Sequence, residues 1–309
     1  MTEHVPVLRE EVLEALAVKS DGRYLDATFG RGGHTAAILE QLGSAGVLLV
    51  VDRDPVAIDA ARARYGKDAR VRIIQGNFAD MQALTANAGF EGQFDGILMD
   101  LGVSSPQLDD PERGFSFRGD GPLDMRMDPT QGLSAAQWLA TVDERTLTDV
   151  IRRYGEERHA RRVARAIIRA RTEAPLERTA QLAEVVATAV PGRREPGKHP
   201  ATRSFQAIRI EINGELKSLE TALDEALALL APGGRLCVIS FHSLEDRMVK
   251  RFLRRHASED EVWRGLPDIP AHARASLRLV GRARRAGEAE LSDNPRARSA
   301  VLRVAERLQ

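Results

Sequence analysis

Arg23-Tyr24-Leu25-Asp26-Ala27-Thr28-Phe29-Gly30-Arg31-Gly32-Gly33-His34 opens as a short apolar strand, Arg23 to Thr28, and runs into a glycine-rich turn before a helical pattern begins near Thr35. Glycines let a backbone turn sharply and approach a ligand without a Cβ clash. In dinucleotide-type folds this loop after the first strand meets the cofactor. Downstream, strands at Gly46 to Asp52, Val71 to Gln75 and Phe94 to Asp100 alternate with helical stretches such as Pro55 to Tyr65. Each strand ends near a glycine or an acid where a loop should begin. The alternation predicts βαβ units, a parallel sheet and an α/β fold.

The second strand ends in Val51-Asp52, about twenty residues beyond the glycines, where a carboxylate can accept both hydroxyls of a ribose. NAD enzymes and methyltransferases share that acid. A dinucleotide fingerprint calls for glycine or alanine at position 35, and this chain has Thr35. Asp26, near the end of the first strand, fits the acid that in methyltransferases faces the amino end of the methionine moiety. A plain glycine turn is the alternative. Asp100-Leu101-Gly102-Val103-Ser104-Ser105-Pro106-Gln107 follows the fourth strand and should border the same crevice. An aromatic amine has its lone pair delocalised into its ring, so its alkylation needs an acceptor that orients the N–H and in-line placement of the reacting atoms. Asp100 is the candidate acceptor and catalytic residue, or else it closes the strand end or bonds the cofactor.

After Asp100 a loop rich in Gly, Pro, Asp and Ser runs to about Gly132, and a helical pattern without strands continues to about Arg209. The βα pattern returns with a helix over Glu215 to Leu230, a turn at Ala231-Pro232-Gly233-Gly234, a strand Arg235 to Ser240 and a closing strand Ser299 to Ala305. The expected organisation is a core in two parts, residues 1–106 and 207–309, interrupted by a helical insertion at 107–206.

The net charge of the 309 residues is zero, yet from Arg152 to Arg209 fourteen basic residues face six acidic ones, which leaves the remainder acidic. Arg158, Arg161, Arg162, Arg165 and Arg169 fall on one helical face, opposite Ala160, Val163, Ala164, Ile167 and Ile168. Such a stripe can track a phosphate backbone, with Arg193, Arg194, Lys198 and Arg203 adding to it; a solvated helix face is the alternative. With 43% hydrophobic and 29% charged residues the chain reads as globular rather than disordered. It has no run of eighteen apolar residues and no signal-peptide pattern at its N-terminus, so no membrane association is expected and the cytoplasm is the expected location. The single cysteine, Cys237, permits no internal disulfide and no Cys-based zinc site, in keeping with a reducing compartment.

Beyond these single features, a series of blocks resembles the RsmH (MraW) family. They are Gly30-Arg31-Gly32-Gly33-His34, Asp52-Arg53-Asp54-Pro55, Asp100 through Asp109, Arg113-Gly114-Phe115-Ser116-Phe117, Gly121 through Asp128, Tyr154-Gly155-Glu156-Glu157-Arg158, His199-Pro200-Ala201-Thr202-Arg203, Ser240 through Arg247 and Asn294 through Ser299. The resemblance runs in order along almost the whole chain. It implies a Rossmann-like class I S-adenosylmethionine-dependent methyltransferase core with an inserted helical domain for RNA recognition. The implied cofactor is S-adenosyl-L-methionine, with no metal. The implied reaction is methylation of N4 of a cytidine in the decoding region of 16S rRNA, with the small ribosomal subunit as partner and a monomer or homodimer as the working form. It also implies cofactor contacts at Gly32, Gly33, His34, Asp52, Phe78, Asp100 and Gln107. Glu259 to Glu290 carries no matching motif.

Residue chemistry leaves some roles open. Phe78 can pack on an adenine face or in the core. Phe115 and Phe117 can stack a splayed base or pack their own loop. Ser243 and Asp246 have capping-box spacing, and His242 beside them is either a substrate contact or a structural histidine. Two rival functions remain: an NAD-dependent oxidoreductase, disfavoured by Thr35, and a non-catalytic RNA-binding module, disfavoured by the intact acid and glycine positions.

Overall fold

The computed structural model describes residues 6–90, 92–191, 199–260, 262–263, 268, 270 and 273–308. Seven strands form one sheet: β1 (Arg23–Asp26), β2 (Val47–Asp52), β3 (Val71–Gln75), β4 (Phe94–Asp100), β5 (Leu230–Ser240), β6 (Leu277–Leu279) and β7 (Val301–Arg307). Their order is β3-β2-β1-β4-β5-β7-β6. The first five run parallel, and β7 is antiparallel to both β5 and β6. Parallel strands need crossovers, supplied here by helices α2 (Gly33–Gln41), α3 (Pro55–Tyr65), α4 (Met81–Asn87) and α11 (Glu215–Leu229). The chain builds outward from β1 to β3 and then returns to place β4 against the other side of β1. The crevice beyond the carboxyl ends of β1 and β4 is therefore the topological switch point, where open α/β sheets hold ligands.

Leu48, Leu49, Val50 and Val51 of β2 are fully buried, as expected for a strand covered on both faces, and so are Ile97, Leu98 and Met99 of β4. Helix α3 follows the sequence reading residue for residue. Asp54 caps it by accepting from the Val56 amide at 3.0 Å, and Pro55 occupies its first turn, where a missing N–H costs nothing.

Several boundaries move for identifiable reasons. Helix α2 starts at Gly33, before Thr35, because Gly32 takes φ +73° and launches the helix from a left-handed residue. The expected turn at Ala231-Pro232-Gly233-Gly234 is absorbed into β5. Its register against β4 slips between Phe94 and Gly96, and Gly233 adopts φ +78°, so the strand accommodates the glycines as an irregularity. The closing strand begins at Val301. Among the elements that carried no clear signal are α1 (Arg9–Leu16), eight residues with Val12, Ala15 and Leu16 buried, and the three-residue edge strand β6.

The chain divides into two compact units, one made of residues 1–102 and 216–309 and the other of Val103–Glu215. The second contains α5 (Ser105–Asp109), α6 (Ala135–Thr141), α7 (Glu144–Gly155), α8 (Ala160–Glu173), α9 (Thr179–Ala189) and α10 (Thr202–Asn213). It is wider than the 107–206 stretch read from the sequence. Phe205 and Ile208 of α10 belong to its core together with Leu147, Ile151, Val163 and Ile167, and Val103 packs against that core. Within this unit one side chain joins three backbone groups, two of them in the segment Gly121 to Asp128. Asn213 accepts from the Met127 amide at 2.8 Å and donates to the carbonyls of Met125 at 2.8 Å and Arg209 at 2.9 Å. Met125 is fully buried at φ +64°, a conformation unfavourable for a side chain of that size. Asn213→Ala leaves buried backbone groups of that segment unpaired and is expected to destabilise the protein by about 1–3 kcal/mol in chemical denaturation, with Asn213→Asp costing at least as much, because its carboxylate would set an oxygen against the two carbonyls to which the Asn213 amide donates.

Candidate active site

Three strands end on an aspartate at the same edge of the sheet: Asp26 on β1, Asp52 on β2 and Asp100 on β4. Asp26 is buried. One of its carboxyl oxygens accepts from the Thr35 hydroxyl at 2.6 Å and the other from the Thr28 amide at 3.2 Å. Burial outweighs both bonds and raises its pKa to about 6. Thr35, the residue out of place for a dinucleotide fingerprint, thus orients a buried acid from the first turn of α2.

Asp52 sits at the end of β2 with one oxygen accepting from the Gly30 amide at 2.8 Å and the other from the Asp54 amide at 2.9 Å. Burial raises it to about 6 against those two bonds, with Asp54 and Asp26 adding like-charge repulsion. The glycine loop is thereby tied to the carboxylate of the neighbouring strand. Gly30 and Gly32 adopt φ +54° and +73°. A Cβ on Gly32 would lie 2.5 Å from the Phe29 ring, and one on Gly33 2.9 Å from Pro6, so glycine is required by the packing as well as by the turn.

Asp100 donates its amide to the Thr28 hydroxyl at 2.6 Å, which fixes the end of β4 against that of β1. Its Oδ1 is buried without a hydrogen-bond partner. Burial, then repulsion from Asp26 and Glu245, pushes the carboxyl up to about 8. His34 Nε2 lies 3.6 Å from Asp100 Oδ2, and neither imidazole nitrogen makes a well-formed hydrogen bond among the described residues. Burial, with Arg9 as a second cause, depresses His34 to about 4. Both shifts favour a neutral imidazole beside a protonated carboxyl over an ion pair.

Phe78 opens a short turn, Phe78–Asp80, directly after β3. It is half-buried against the sheet's core, while Asn77 caps the turn and donates to the Ser218 hydroxyl at 3.0 Å. Of the predicted cofactor residues, Gly32, Gly33, His34, Asp52, Phe78 and Asp100 all belong to the sheet-containing unit. Gln107 belongs to the other unit, where its side chain is buried at the start of α5 and accepts from the Ser104 amide at 2.9 Å in a capping box.

Glu245 was not legible as a site residue. It is almost fully buried one turn into α12 (Ser243–His256), where it accepts from the amides of Phe241 at 2.8 Å and His242 at 3.3 Å. His242 is the N-cap, accepting from the Glu245 amide at 3.4 Å through Nδ1. The capping box is therefore His242/Glu245, one residue before the expected Ser243/Asp246 pair, and Asp246 instead binds Arg303 at 2.7 and 3.1 Å. The spacing of a box was present at both positions; histidine is an uncommon cap, so its residue type hid it. Phe115 is buried in the second unit's core, which makes it a packing residue, and Phe117 packs on Phe205 and His199 with ring centroids 4.8 and 4.6 Å away.

The model of the MraW methylase family matches residues 1–308. The chain belongs to the MraW methylase family. A relative from Thioalkalivibrio sulfidiphilus (strain HL-EbGR7), named ribosomal RNA small subunit methyltransferase H, is 62% identical over 307 residues, covering 99% of this chain and 97% of its own length. A relative of the same name from Xanthomonas oryzae pv. oryzae (strain KACC10331 / KXO85) is 58% identical over 306 residues, covering 99% of this chain and 89% of its own length.

The methylase is thus an S-adenosylmethionine-dependent methyltransferase on a Rossmann-like core. The donor set fits that cofactor. Three acids with raised pKa values, one with an unpartnered oxygen, suit a ligand bearing sulfonium and ammonium charges and a ribose diol. The same acids would repel the diphosphate of a nicotinamide dinucleotide.

Because the folded protein holds the Asp100 proton more tightly than the unfolded chain, this carboxyl contributes stability that is full below about pH 4 and is lost as pH rises towards 8. Asp100→Asn, which removes the titration, is expected to match the wild type in thermal unfolding near pH 4 and to melt at a higher temperature near pH 9 when no cofactor is present. Equal melting temperatures at the higher pH would show that Asp100 ionises without strain.

Proposed function

We propose that the methylase transfers the methyl group of S-adenosylmethionine to the N4 amine of a cytidine in the decoding region of 16S rRNA, acting in the cytoplasm on the small ribosomal subunit. The observation that carries the reading is Asp100 Oδ1: a buried carboxyl oxygen without a partner, at the carboxyl end of the strand beside the glycine loop. The names of the two relatives support the choice of small-subunit ribosomal RNA as substrate.

Each side chain takes a role that its chemistry supports. Asp52 accepts the ribose hydroxyls, Asp26 faces the ammonium of the methionine moiety, and Gly32 and Gly33 let the backbone approach it. Phe78 offers its half-exposed ring to adenine, while His34 and Gln107 add neutral polar contacts. When bound, the cofactor supplies a methyl group activated on a sulfonium. A cation beside Asp100 favours its ionised form and opposes the burial that holds its proton in the free protein. The carboxylate then accepts an N–H of the target amine, orients its lone pair for in-line attack, and takes up the proton that the amine loses. A base within a duplex cannot reach such a position, so the target cytidine is presented unstacked.

The exposed Arg161, Arg162, Arg165 and Arg169 on one side of α8 offer a phosphate-binding face on the second unit, with Arg158 exposed in the turn before the helix rather than on its face. Arg165 also pairs with Glu144 at 2.9 Å and Arg169 with Glu173 at 3.5 Å. Arg193, Arg194 and Lys198 lie outside the described residues.

Incubation with methyl-labelled cofactor and unmodified small subunits, followed by nuclease digestion and mass spectrometry, is expected to give N4-methylcytidine at one site; label on another base would overturn the substrate reading. Asp100→Ala is expected to lower turnover at least about a hundredfold. An Asp100→Ala enzyme that keeps its turnover and loses only cofactor affinity would refute the acceptor role. Charge reversal at Arg161 and Arg162 should weaken RNA binding and reduce the slope of log affinity against log salt by roughly one for each phosphate contact removed.

A further inference from the structure

The basic surplus between Arg152 and Arg209 leaves the remaining chain acidic on average, but the sheet-containing unit carries a concentrated basic face of its own on α12. This helix reads Ser243-Leu244-Glu245-Asp246-Arg247-Met248-Val249-Lys250-Arg251-Phe252-Leu253-Arg254-Arg255-His256. Glu245, Val249, Phe252 and Leu253 form its buried side. Arg251, Arg254 and Arg255 are exposed and Lys250 is half-buried, and Arg247, Lys250, Arg251 and Arg254 follow one another at the three- and four-residue spacing of a single face. The stripe is about 10 Å long at the rise of an α-helix.

Among the described residues, neither acid of the helix pairs with Lys250, Arg251 or Arg254. Glu245 is spent on the backbone at the N-cap, and Asp246 is held by Arg303. Arg255 is accounted for locally, 3.7 Å from Asp224 and over the Phe252 ring. Lys250, Arg251 and Arg254 make no ion pair among the described residues. The helix dipole favours cations in the last turn, which covers Arg254 and Arg255 but not Lys250 and Arg251 in the middle. Like charges at these spacings repel and weaken a helix. The fold therefore gains no ion pair from Lys250, Arg251 or Arg254, whereas a polyanion laid along them would offset the repulsion.

We propose that the Lys250, Arg251 and Arg254 face of α12 binds the RNA phosphate backbone beside the target nucleotide. RNA is favoured as occupant by charge complementarity and by position. Helix α12 starts at Ser243, immediately after β5 ends at Ser240, at the same edge of the sheet where β4 presents Asp100. Lys250 to Arg254 lie roughly 10–16 Å along the axis from that edge, so they would meet phosphates flanking a cytidine delivered to Asp100 rather than the target nucleotide itself. This inference rests on the reading of ribosomal RNA as the substrate.

The test compares wild type with the triple variant Lys250→Gln, Arg251→Gln, Arg254→Gln and the double variant Arg251→Glu, Arg254→Glu. Equilibrium binding to unmodified naked small-subunit rRNA and to small subunits is measured across a potassium chloride series, and S-adenosylmethionine affinity serves as the check that the sheet-containing unit is folded. The triple variant is expected to lose roughly 2–3 units of the slope of log affinity against log salt and about tenfold or more in affinity near 0.15 M salt, with the reversal variant weaker still. Unchanged slopes in variants that still bind the cofactor overturn the proposal. Weaker binding to small subunits with an unchanged slope on naked rRNA also overturns it, in favour of an acidic protein surface. A wild-type protein that neither binds nor methylates either form of the rRNA removes the substrate reading on which the inference rests.

Discussion

Parallel strands place all their carboxyl ends on one side of a sheet, and in this chain that geometry sets Asp52 and Asp100 in the electrostatic field of the buried Asp26. Buried like charges are costly, and the surrounding structure is organised around that cost. Thr35 and Thr28 hold Asp26, the glycine loop and Asp54 hold Asp52, and Asp100 is left with one oxygen unpaired. Raised pKa values suit this edge of the sheet to a ligand that carries positive charge. His34 completes the site as a neutral imidazole, because a second burial penalty acts on it in the opposite direction.

The second unit is assembled differently. Its helices close over an apolar core of their own, and its long loop is pinned by Asn213 and by contacts that leave no room for a side chain at Gly114 or Gly121, where a Cβ would meet backbone at 2.3 and 1.9 Å. The arginines of α8 are exposed because the opposite face of that helix supplies Val163, Ala164 and Ile167 to the core. Core packing and the presentation of positive charge are thus two sides of one amphipathic pattern. Helix α12 repeats the arrangement on the sheet-containing unit, where averaging charge over the rest of the chain conceals it.

Local signals made much of the catalytic unit legible. The limits of β3, β4 and α3 could be read directly, because a β-branched run or a capped amphipathic stretch carries its ends in its own residues. The glycine loop and the strand-end acids could be read for the same reason. Boundaries that depend on a partner strand could not: the Ala-Pro-Gly-Gly segment looks like a turn until β4 pairs with it, and β6 exists only because β7 lies beside it.

The sequence by itself determined the alternation of β1 to β4 with their helices and which residue types stand at the strand ends, since these follow from periodicity and single-residue conformational limits. Tertiary structure decided what those residues do chemically. Asp100 holds its proton near neutral pH because residues from distant segments bury it and because Asp26 and Glu245 face it. Phe115 became a core residue, and His242 and Glu245 exchanged hydrogen bonds at a helix start. Burial and through-space charge are sums over neighbours that only folding brings together, so the one-dimensional pattern could name the groups but not set their protonation, their partners or their exposure.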